Sequence, residues 1–499
     1  MKSIFDQRFF WFSAFFIFIV FTRIYSSLLI EVISWDEATY ILAGREILSG
    51  YLPYETLYEM KPPLLYYIYS VPLFFNASLE SVRIYGAFCI FVSSILIYET
   101  LIRFVASKIA ALGSLAFISL MNYYFWLETS SEIVSLPFFL LSFIFFLDHK
   151  KSKINLILSG FFISISTLIR LNLGYLVIFV IIYLIFKKNG FKEKIYELFL
   201  FCFSGLIPLI FFILLYYDKG LLDLFFIGTF KVPLVYSSEN TLIDGFMNYS
   251  KTIAKLIIFN PLHFAPFFIC LILCFKGKNI LCNNKNSFYI FLFGIIFSTI
   301  ATGQGFSHHL ILIVPFLIIF ILSRIFIQKK YLSFIYFFLI IIILNSFVSS
   351  VATNFELIKH DFDYAKNHKI KEISNLNIGK NSKVLALDYH LIYFYEENIK
   401  GLKLIHVPAL VRNTTKERLY PLVKINYFNP DFISEILNMD YDFILCSTRI
   451  CIEGRPNLEN DKIKNLLKNY VIIKRIDNFS RWEHTKTGNL LLYKKNKSE

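Results

Sequence analysis

Trp35-Asp36-Glu37-Ala38-Thr39-Tyr40 lies just beyond the first long apolar run, and Gly50-Tyr51-Leu52-Pro53-Tyr54 and Tyr58-Glu59-Met60-Lys61-Pro62-Pro63-Leu64-Leu65-Tyr66-Tyr67 follow it closely. The stretch sets two adjacent carboxylates and a lysine at the edge of a membrane-spanning segment. Ionisable groups held at that position are costly, which makes them functional candidates ahead of any other residue. Ala38 to Leu48 has helical apolar spacing and reads as an interfacial helix. Gly50 and Pro53 end it, and the double proline Pro62-Pro63 forbids a helix interior immediately before it. Leu64 to Phe75 is apolar but too short to cross, and fits a helix lying in or dipping into the outer interface.

Composition agrees with that reading. A chain of 499 residues that is 56% hydrophobic and 19% aromatic, with a mean hydropathy of +0.59, is a polytopic membrane protein rather than a soluble globular one. The net charge of +14 does not point to nucleic acid, because the basic residues sit in short clusters between apolar runs. Runs of roughly 17–25 residues, enough to span a bilayer, fall near 9–30, 84–104, 131–147, 172–186, 195–217, 252–275, 287–304, 308–327 and 331–351. Two shorter ones near 108–122 and 154–170 bring the expected total to about eleven transmembrane helices. With a cytoplasmic amino terminus, Arg103 with Lys108, Lys150-Lys151-Ser152-Lys153, Lys187 to Lys194, Lys276 to Lys285 and Lys329-Lys330 all fall inside, as the positive-inside rule requires. The first apolar run is too long for a signal peptide and has no small-residue cleavage site after it, so it reads as an uncleaved anchor.

This topology puts residues 31–83, 218–251 and 352–499 outside, so the chemistry is sought on that face. Residues 1–351 form the transmembrane domain. From Asn354 onward the composition turns mixed and charged, with strand-like runs at Lys383–Leu387, Tyr441–Leu445 and Tyr470–Ile473, which read as a small extracytoplasmic α/β domain at 352–499. Its Cys446 and Cys451 either bridge, as an oxidising exterior permits, or stand as two thiols. Cys89, Cys202, Cys270, Cys274 and Cys282 lie in or beside helices and read as core residues.

Spacing alone gives the loop residues structural roles as readily as chemical ones. Asp36 and Glu37 suit the acidic first turn of a helix, and Lys61 suits a snorkelling anchor. The arrangement as a whole, however, resembles the C-type glycosyltransferases. Within them it is most similar to the bacterial branch related to protein O-mannosyltransferases and to the lipid A aminoarabinose transferase. Asp36-Glu37-Ala38 with Tyr40, Gly50–Tyr54 and Lys61–Tyr67 carry the resemblance, and Glu128 to Glu132, Arg170 and Ser307-His308-His309-Leu310 through Pro315 extend it more weakly.

The resemblance implies an inverting transfer of a monosaccharide from a polyprenyl-phosphate donor to a lipid, glycan or protein acceptor on the outer face of the cell membrane. Asp36 matches the catalytic acidic residue, and Glu37 is a second catalytic candidate. Lys61 matches the cation that meets the donor phosphate. Arg170, Arg83, His308 and His309 are further phosphate candidates, since guanidinium groups grip phosphate oxygens bidentately. Tyr40, Tyr54, Tyr66, Glu128 and Glu132 are expected to line the acceptor cleft. Glu128 and Glu132, one helical turn apart, suit that cleft, and pairing with Arg170 suits them equally. Tyr236, Glu239, Asn240 and Asp244 are open candidates for sugar contacts. The residues name no definite cofactor; a divalent cation is left open, although no spacing of His or carboxylate matches a dedicated ligand set. The competing class is a lipid or sugar transporter without transferase activity; transporters usually carry internal repeats with broken helices near the midplane, and none is evident.

Overall fold

The computed structural model describes residues 2–24, 27–28, 31, 35–57, 59–123, 126–188, 190–237, 241–275, 285–325, 329–359, 382–387, 390–395, 437–452, 460–479 and 488–496. Helix α1, Lys2–Ile19, continues into a wide turn at Val20–Ile24. Two short helices follow, α2 (Trp35–Leu48) and α3 (Pro63–Phe75). They coincide with the two interfacial stretches expected from the sequence, for the reasons expected. Gly50 turns the chain out of α2 at φ +93°, a left-handed conformation that costs glycine little. Pro63 occupies the first turn of α3, where its missing N–H has no partner to lose.

The bundle then runs through α4 (Leu79–Leu101), α5 (Ser107–Met121), α6 (Ser131–Leu147), α7 (Lys153–Ile169), α8 (Gly174–Phe186) and α9 (Phe191–Asp218). Short helical pieces at Leu222–Phe226, Ile227–Lys231 and Val232–Ser237 lead to α10 (Leu242–Phe259) and α11 (Pro261–Phe275). After α12 (Lys285–Ile300), a tight turn at Ser307–Leu312 feeds α13 (Val314–Ile325), and α14 (Lys329–Lys359) closes the helical part. The single span expected over 252–275 is in fact two helices. Pro261 has no N–H to continue α10, so the helix stops at Phe259 and a new one starts.

This is a polytopic helical membrane protein, and its surface shows why. Among the described residues, α4, α9 and the Ser333–Ala352 part of α14 are long and apolar enough to cross a bilayer by length and composition, and shorter apolar helices surround them. Helix α9 turns Phe199, Phe203, Ile210, Phe211 and Leu214 outward, nearly half to three-fifths exposed. Such a stripe would be costly in water and is at home in lipid. Inside, one apolar core runs through α1 and α4 to α14, with Trp126, Phe117 and Phe139 fully enclosed.

Beyond the helices, a four-stranded sheet has the order β1 (Val384–Ala386), β2 (Phe443–Ser447), β4 (Gly488–Lys495) and β3 (Tyr470–Phe479). β1 pairs parallel to β2, and β4 pairs antiparallel to both β2 and β3. Strands β1 to β3 fall on the runs read in the sequence. Helix α15 (Asn460–Leu467) lies between β2 and β3. Cys446 and Cys451 are joined in a disulfide, with Cα atoms 6.3 Å apart, which decides between the two readings of that pair. Cys89 and Cys270 are buried in the helical part and Cys202 is half-buried; Cys282 and the side chain of Cys274 lie outside the described residues. The core of the sheet includes Ala38 and Leu42 of α2. Thr39 Oγ1 lies 2.8 Å from His390 Nε2, and Arg45 donates to the carbonyls of Tyr393 and Phe394. The helix that carries Asp36 and Glu37 is thus packed against residues 390–395, which follow β1, on one side and α3 on the other.

Candidate active site

Asp36 and Glu37 occupy the first turn of α2 and face different surroundings. Asp36 is half-buried and accepts from the Tyr40 hydroxyl at 3.4 Å, one turn further on. Burial pushes the Tyr40 phenol well above its ordinary range, and the nearby Asp36 charge pushes the same way, so it stays a donor. Its ring is wedged edge-on against Tyr66 and Tyr69, with centroids 6.1 and 5.3 Å away. Glu37 is 2% exposed and is fully engaged. Arg83 reaches it through Nη2 at 2.8 Å and Nε at 3.3 Å, and the Thr129 backbone N–H donates to it at 2.8 Å. Arg83 also donates to the carbonyls of Ser27 and Glu31. The sequence reading offered Glu37 as a second catalytic group and Arg83 as a phosphate ligand; the structure brings the two together in a buried pair that ties α2, α4 and the approach to α6 together.

That tie depends on a close approach at Gly86. A Cβ there would sit 2.4 Å from Thr129 Oγ1, the residue whose N–H holds Glu37. Gly86→Ala is expected to lower the thermal midpoint of the purified protein, by the equivalent of about 1–3 kcal/mol, typical of overpacking. An unchanged midpoint would show that Thr129 gives way freely.

Lys61 is held by its backbone. The Tyr54 hydroxyl donates to the Lys61 carbonyl at 2.5 Å, and the Lys61 N–H donates to the Tyr66 hydroxyl at 3.2 Å. The Tyr66 hydroxyl in turn donates to Glu59 Oε2 at 2.7 Å. Tyr54 is in left-handed backbone at φ 71°, and its hydroxyl lies 3.2 Å from Thr229 Oγ1. Tyr54 and Tyr66, expected as cleft-lining residues, also act as braces: two buried phenols fix the peptide from which the Lys61 side chain departs. Among the described residues the Lys61 ammonium makes no ion pair.

The third part of the site forms where α6 begins, α7 ends and α13 is about to start. Ser130 caps α6, so Glu132 lies in its first turn, whereas Glu128 precedes the helix and is not stacked one turn from Glu132 as the spacing had suggested. Both are buried. Arg170, the C-cap of α7, pairs with Glu132 Oε1 through Nη1 and donates to Ser131 Oγ at 3.0 Å, while its Nε has no partner among the described residues. His308 Nε2 lies 3.7 Å and His309 Nε2 3.9 Å from the same Glu132 oxygen. Asp36, Lys61 and Arg170 all act electrostatically on His308. The three parts therefore form one cluster at one end of the bundle, while Arg103, Lys151 and Lys153 sit at opposite ends of the same helices.

Some members of this cluster were not legible in sequence. Tyr69 is 1% exposed, its hydroxyl has no partner among the described residues, and it feels the charges of Glu37, Glu128, Glu132 and Asp36. Arg23, equally buried, donates to the carbonyls of Met121, Trp126 and Leu127 and so shapes the loop that presents Thr129. Tyr249 lies with its hydroxyl 2.5 Å from His309 Nδ1. Of the candidate sugar contacts, Asp244 is an exposed cap of α10, bound by Thr241. Glu239, Asn240 and the side chain of Tyr236 lie outside the described residues.

Residues 60–217 match the family model for dolichyl-phosphate-mannose-protein mannosyltransferases. No curated protein matches the chain in sequence. Among solved structures, the chain resembles ArnT from Cupriavidus metallidurans bound to undecaprenyl phosphate, with a TM-score of 0.63 and 12% identity over 97% of this chain and 98% of that one. The apo state of the same protein matches with a TM-score of 0.55, also at 12% identity, over 96% and 97%. ArnT is the lipid A aminoarabinose transferase. Along nearly its whole length, this chain has the fold of ArnT.

Proposed function

We propose that this protein is an inverting glycosyltransferase that moves a monosaccharide from a polyprenyl-phosphate donor to an acceptor hydroxyl at the outer face of the cell membrane. The pairing of Arg170 with Glu132 beside His308 and His309, with Asp36 and Lys61 near enough to act electrostatically on His308, carries the reading. It brings together a base, two cations and the membrane edge, which is what displacement of a lipid phosphate requires. ArnT, with the same fold, binds undecaprenyl phosphate.

In this reading Asp36 accepts the proton of the acceptor hydroxyl as its oxygen attacks the anomeric carbon from the face opposite the phosphate. The bond from that carbon to the phosphate oxygen breaks, and the charge left on the lipid phosphate is met by Lys61 and Arg170, already fixed before reaction. Tyr54 and Tyr66 hold Lys61 in place. Glu37 and Arg83 are positioning residues that set the start of α2. The chain crosses the membrane about eleven times, with residues 1–351 as the catalytic unit, its amino terminus inside and residues 352–499 outside. The basic loops at the end of the bundle away from the site support that orientation.

The test is transfer from labelled polyprenyl-phosphate sugars by purified protein in lipid, over a panel of donors and with lipid, glycan and peptide acceptors. Released lipid phosphate with label on an acceptor is expected; movement of intact donor across the bilayer without release would favour a transporter. In the same assay Lys61→Ala should weaken donor binding by about 10- to 100-fold, as losing a charged hydrogen bond of about 1.5–3 kcal/mol implies. Unchanged donor binding would remove Lys61 from the phosphate site.

A further inference from the structure

We infer that the basic end of the bundle holds a binding site for the phosphate headgroup of an anionic phospholipid, separate from the candidate active site. A cavity of about 430 Å³ opens there between α1, the turn after α4 and the corner between α6 and α7. Arg83 and Glu132, near the starts of α4 and α6, belong to the candidate active site, whereas Glu99 and Asp148, at the finishes of the same two helices, line this cavity. About 24 Å of helix separates the members of each pair. No step of the proposed transfer uses this end, so its charges call for another explanation.

Three cations and two carboxylates line the cavity, leaving one net positive charge. Arg8 Nη2 donates to Glu99 Oε2 at 2.9 Å, Arg103 Nη1 donates to Asp148 Oδ2 at 2.8 Å, and Lys151 Nζ lies 2.8 Å from Asp148 Oδ1. Each guanidinium has five N–H donors and spends one of them on its carboxylate. Arg8 Nε has no partner among the described residues. Ion pairs as exposed as these are weak, so a phosphate, which guanidinium groups grip bidentately, competes well for them. The three cations come from three separate elements and so approach an anion from different sides. Basic pockets between helices at the cytoplasmic surface are where membrane proteins hold anionic headgroups, and the orientation proposed above sets this end at the inner leaflet.

Apolar groups beside the cations select a lipid over free phosphate. Ile102 and Phe104 line the same cavity. From Arg8 the next residue on α1, Phe9, begins an apolar lane toward the middle of the bilayer. Phe9 is 68% exposed and Phe16, two turns on, is 55% exposed; Phe16 meets Phe91 of α4 edge-on, with ring centroids 5.9 Å apart. Acyl chains lying along that lane would leave their headgroup over the cavity. An inorganic phosphate would gain nothing from it.

Binding is read on the full chain in neutral detergent, titrated with phosphatidylglycerol, phosphatidylcholine or inorganic phosphate. Native mass spectrometry counts the bound molecules and the thermal midpoint reports their effect. One phosphatidylglycerol per chain beyond the count for phosphatidylcholine is expected, with the midpoint raised by the anionic lipid alone. Arg8→Gln and Arg103→Gln should each weaken that binding about 5-fold and together about 30-fold, the worth of one and two cations facing an anionic lipid. Glu99→Gln, which releases Arg8 from its carboxylate, should tighten it a few-fold. Opposite signs for Arg8→Gln and Glu99→Gln mark a binding site, whereas a pair that only holds α1 to α4 would lose midpoint in both variants and leave lipid binding as it was. Equal uptake of phosphatidylcholine, or unchanged phosphatidylglycerol binding in a folded double variant, overturns the site. Protection by inorganic phosphate as strong as that by the lipid overturns the lipid as its occupant. These readings are the same whether or not the protein transfers sugar, so failure of the proposed reaction leaves them untouched.

Discussion

Asp36→Asn is expected to lower the transfer rate by about 10²- to 10⁴-fold, the usual contribution of a general base, while donor affinity stays within a few-fold of wild type. The substitution keeps the size and one acceptor oxygen of the side chain, so the Tyr40 hydroxyl retains its partner and the start of α2 its shape. What it removes is the ability to take a proton at the moment the acceptor oxygen becomes a nucleophile. The loss should therefore fall on turnover rather than on KM for donor, the pattern of an interaction made only in the transition state. Single-turnover release of labelled lipid phosphate measures it directly. Turnover within a factor of a few of wild type would show that another group takes the proton, and Glu37 is poorly suited to do so. Its carboxylate is buried, paired with Arg83 and bound to the Thr129 N–H, and a base already engaged in that way cannot approach an incoming hydroxyl.

How much of this was readable in the sequence follows from the range of each contact. Helices α2 and α3 were legible because Gly50, Pro53, Pro62 and Pro63 act locally, through φ and missing N–H groups. Strands β1 to β3 were legible from short β-branched and aromatic runs, whereas β4, Gly488–Lys495, whose sequence is apolar only in its middle, was not singled out. The break at Pro261 was hidden inside an apolar stretch whose hydropathy runs straight through it. Asp36, Lys61 and Arg170 stood out as charges in or beside apolar runs. The pairing of Glu37 with Arg83 spans 46 residues, and Glu132 meets His308 and His309 across half the helical bundle. No periodicity carries such information. Tyr54 and Tyr66 were noticed as parts of the motifs that carry the resemblance, and their hydrogen bonds to the Lys61 backbone were not legible, because a phenol that lines a cleft and one that braces a backbone look alike in sequence.

Breaking the Glu37–Arg83 pair is expected to have the largest effect on stability of any single change at this site. Arg83→Met removes the partner of a carboxylate that is 2% exposed and also strips the donors from the carbonyls of Ser27 and Glu31. Leaving a buried charge uncompensated typically costs about 3–5 kcal/mol, enough to lower the thermal midpoint markedly or to prevent recovery of folded protein. Glu37→Gln should cost less, because the amide oxygen still accepts from Thr129 and Arg83. The double change Glu37→Leu with Arg83→Met removes both charges and should be less damaging than the sum of Glu37→Leu and Arg83→Met, which a double-mutant cycle on unfolding in detergent would measure. The same variants separate the two readings of Arg83. A residue that grips the donor phosphate would lose donor binding on substitution and keep its midpoint, whereas a positioning residue loses stability first and activity as a consequence. Full stability of Arg83→Met with weakened donor binding would return Arg83 to the phosphate site and leave α2 anchored chiefly by Thr39, Arg45 and the sheet.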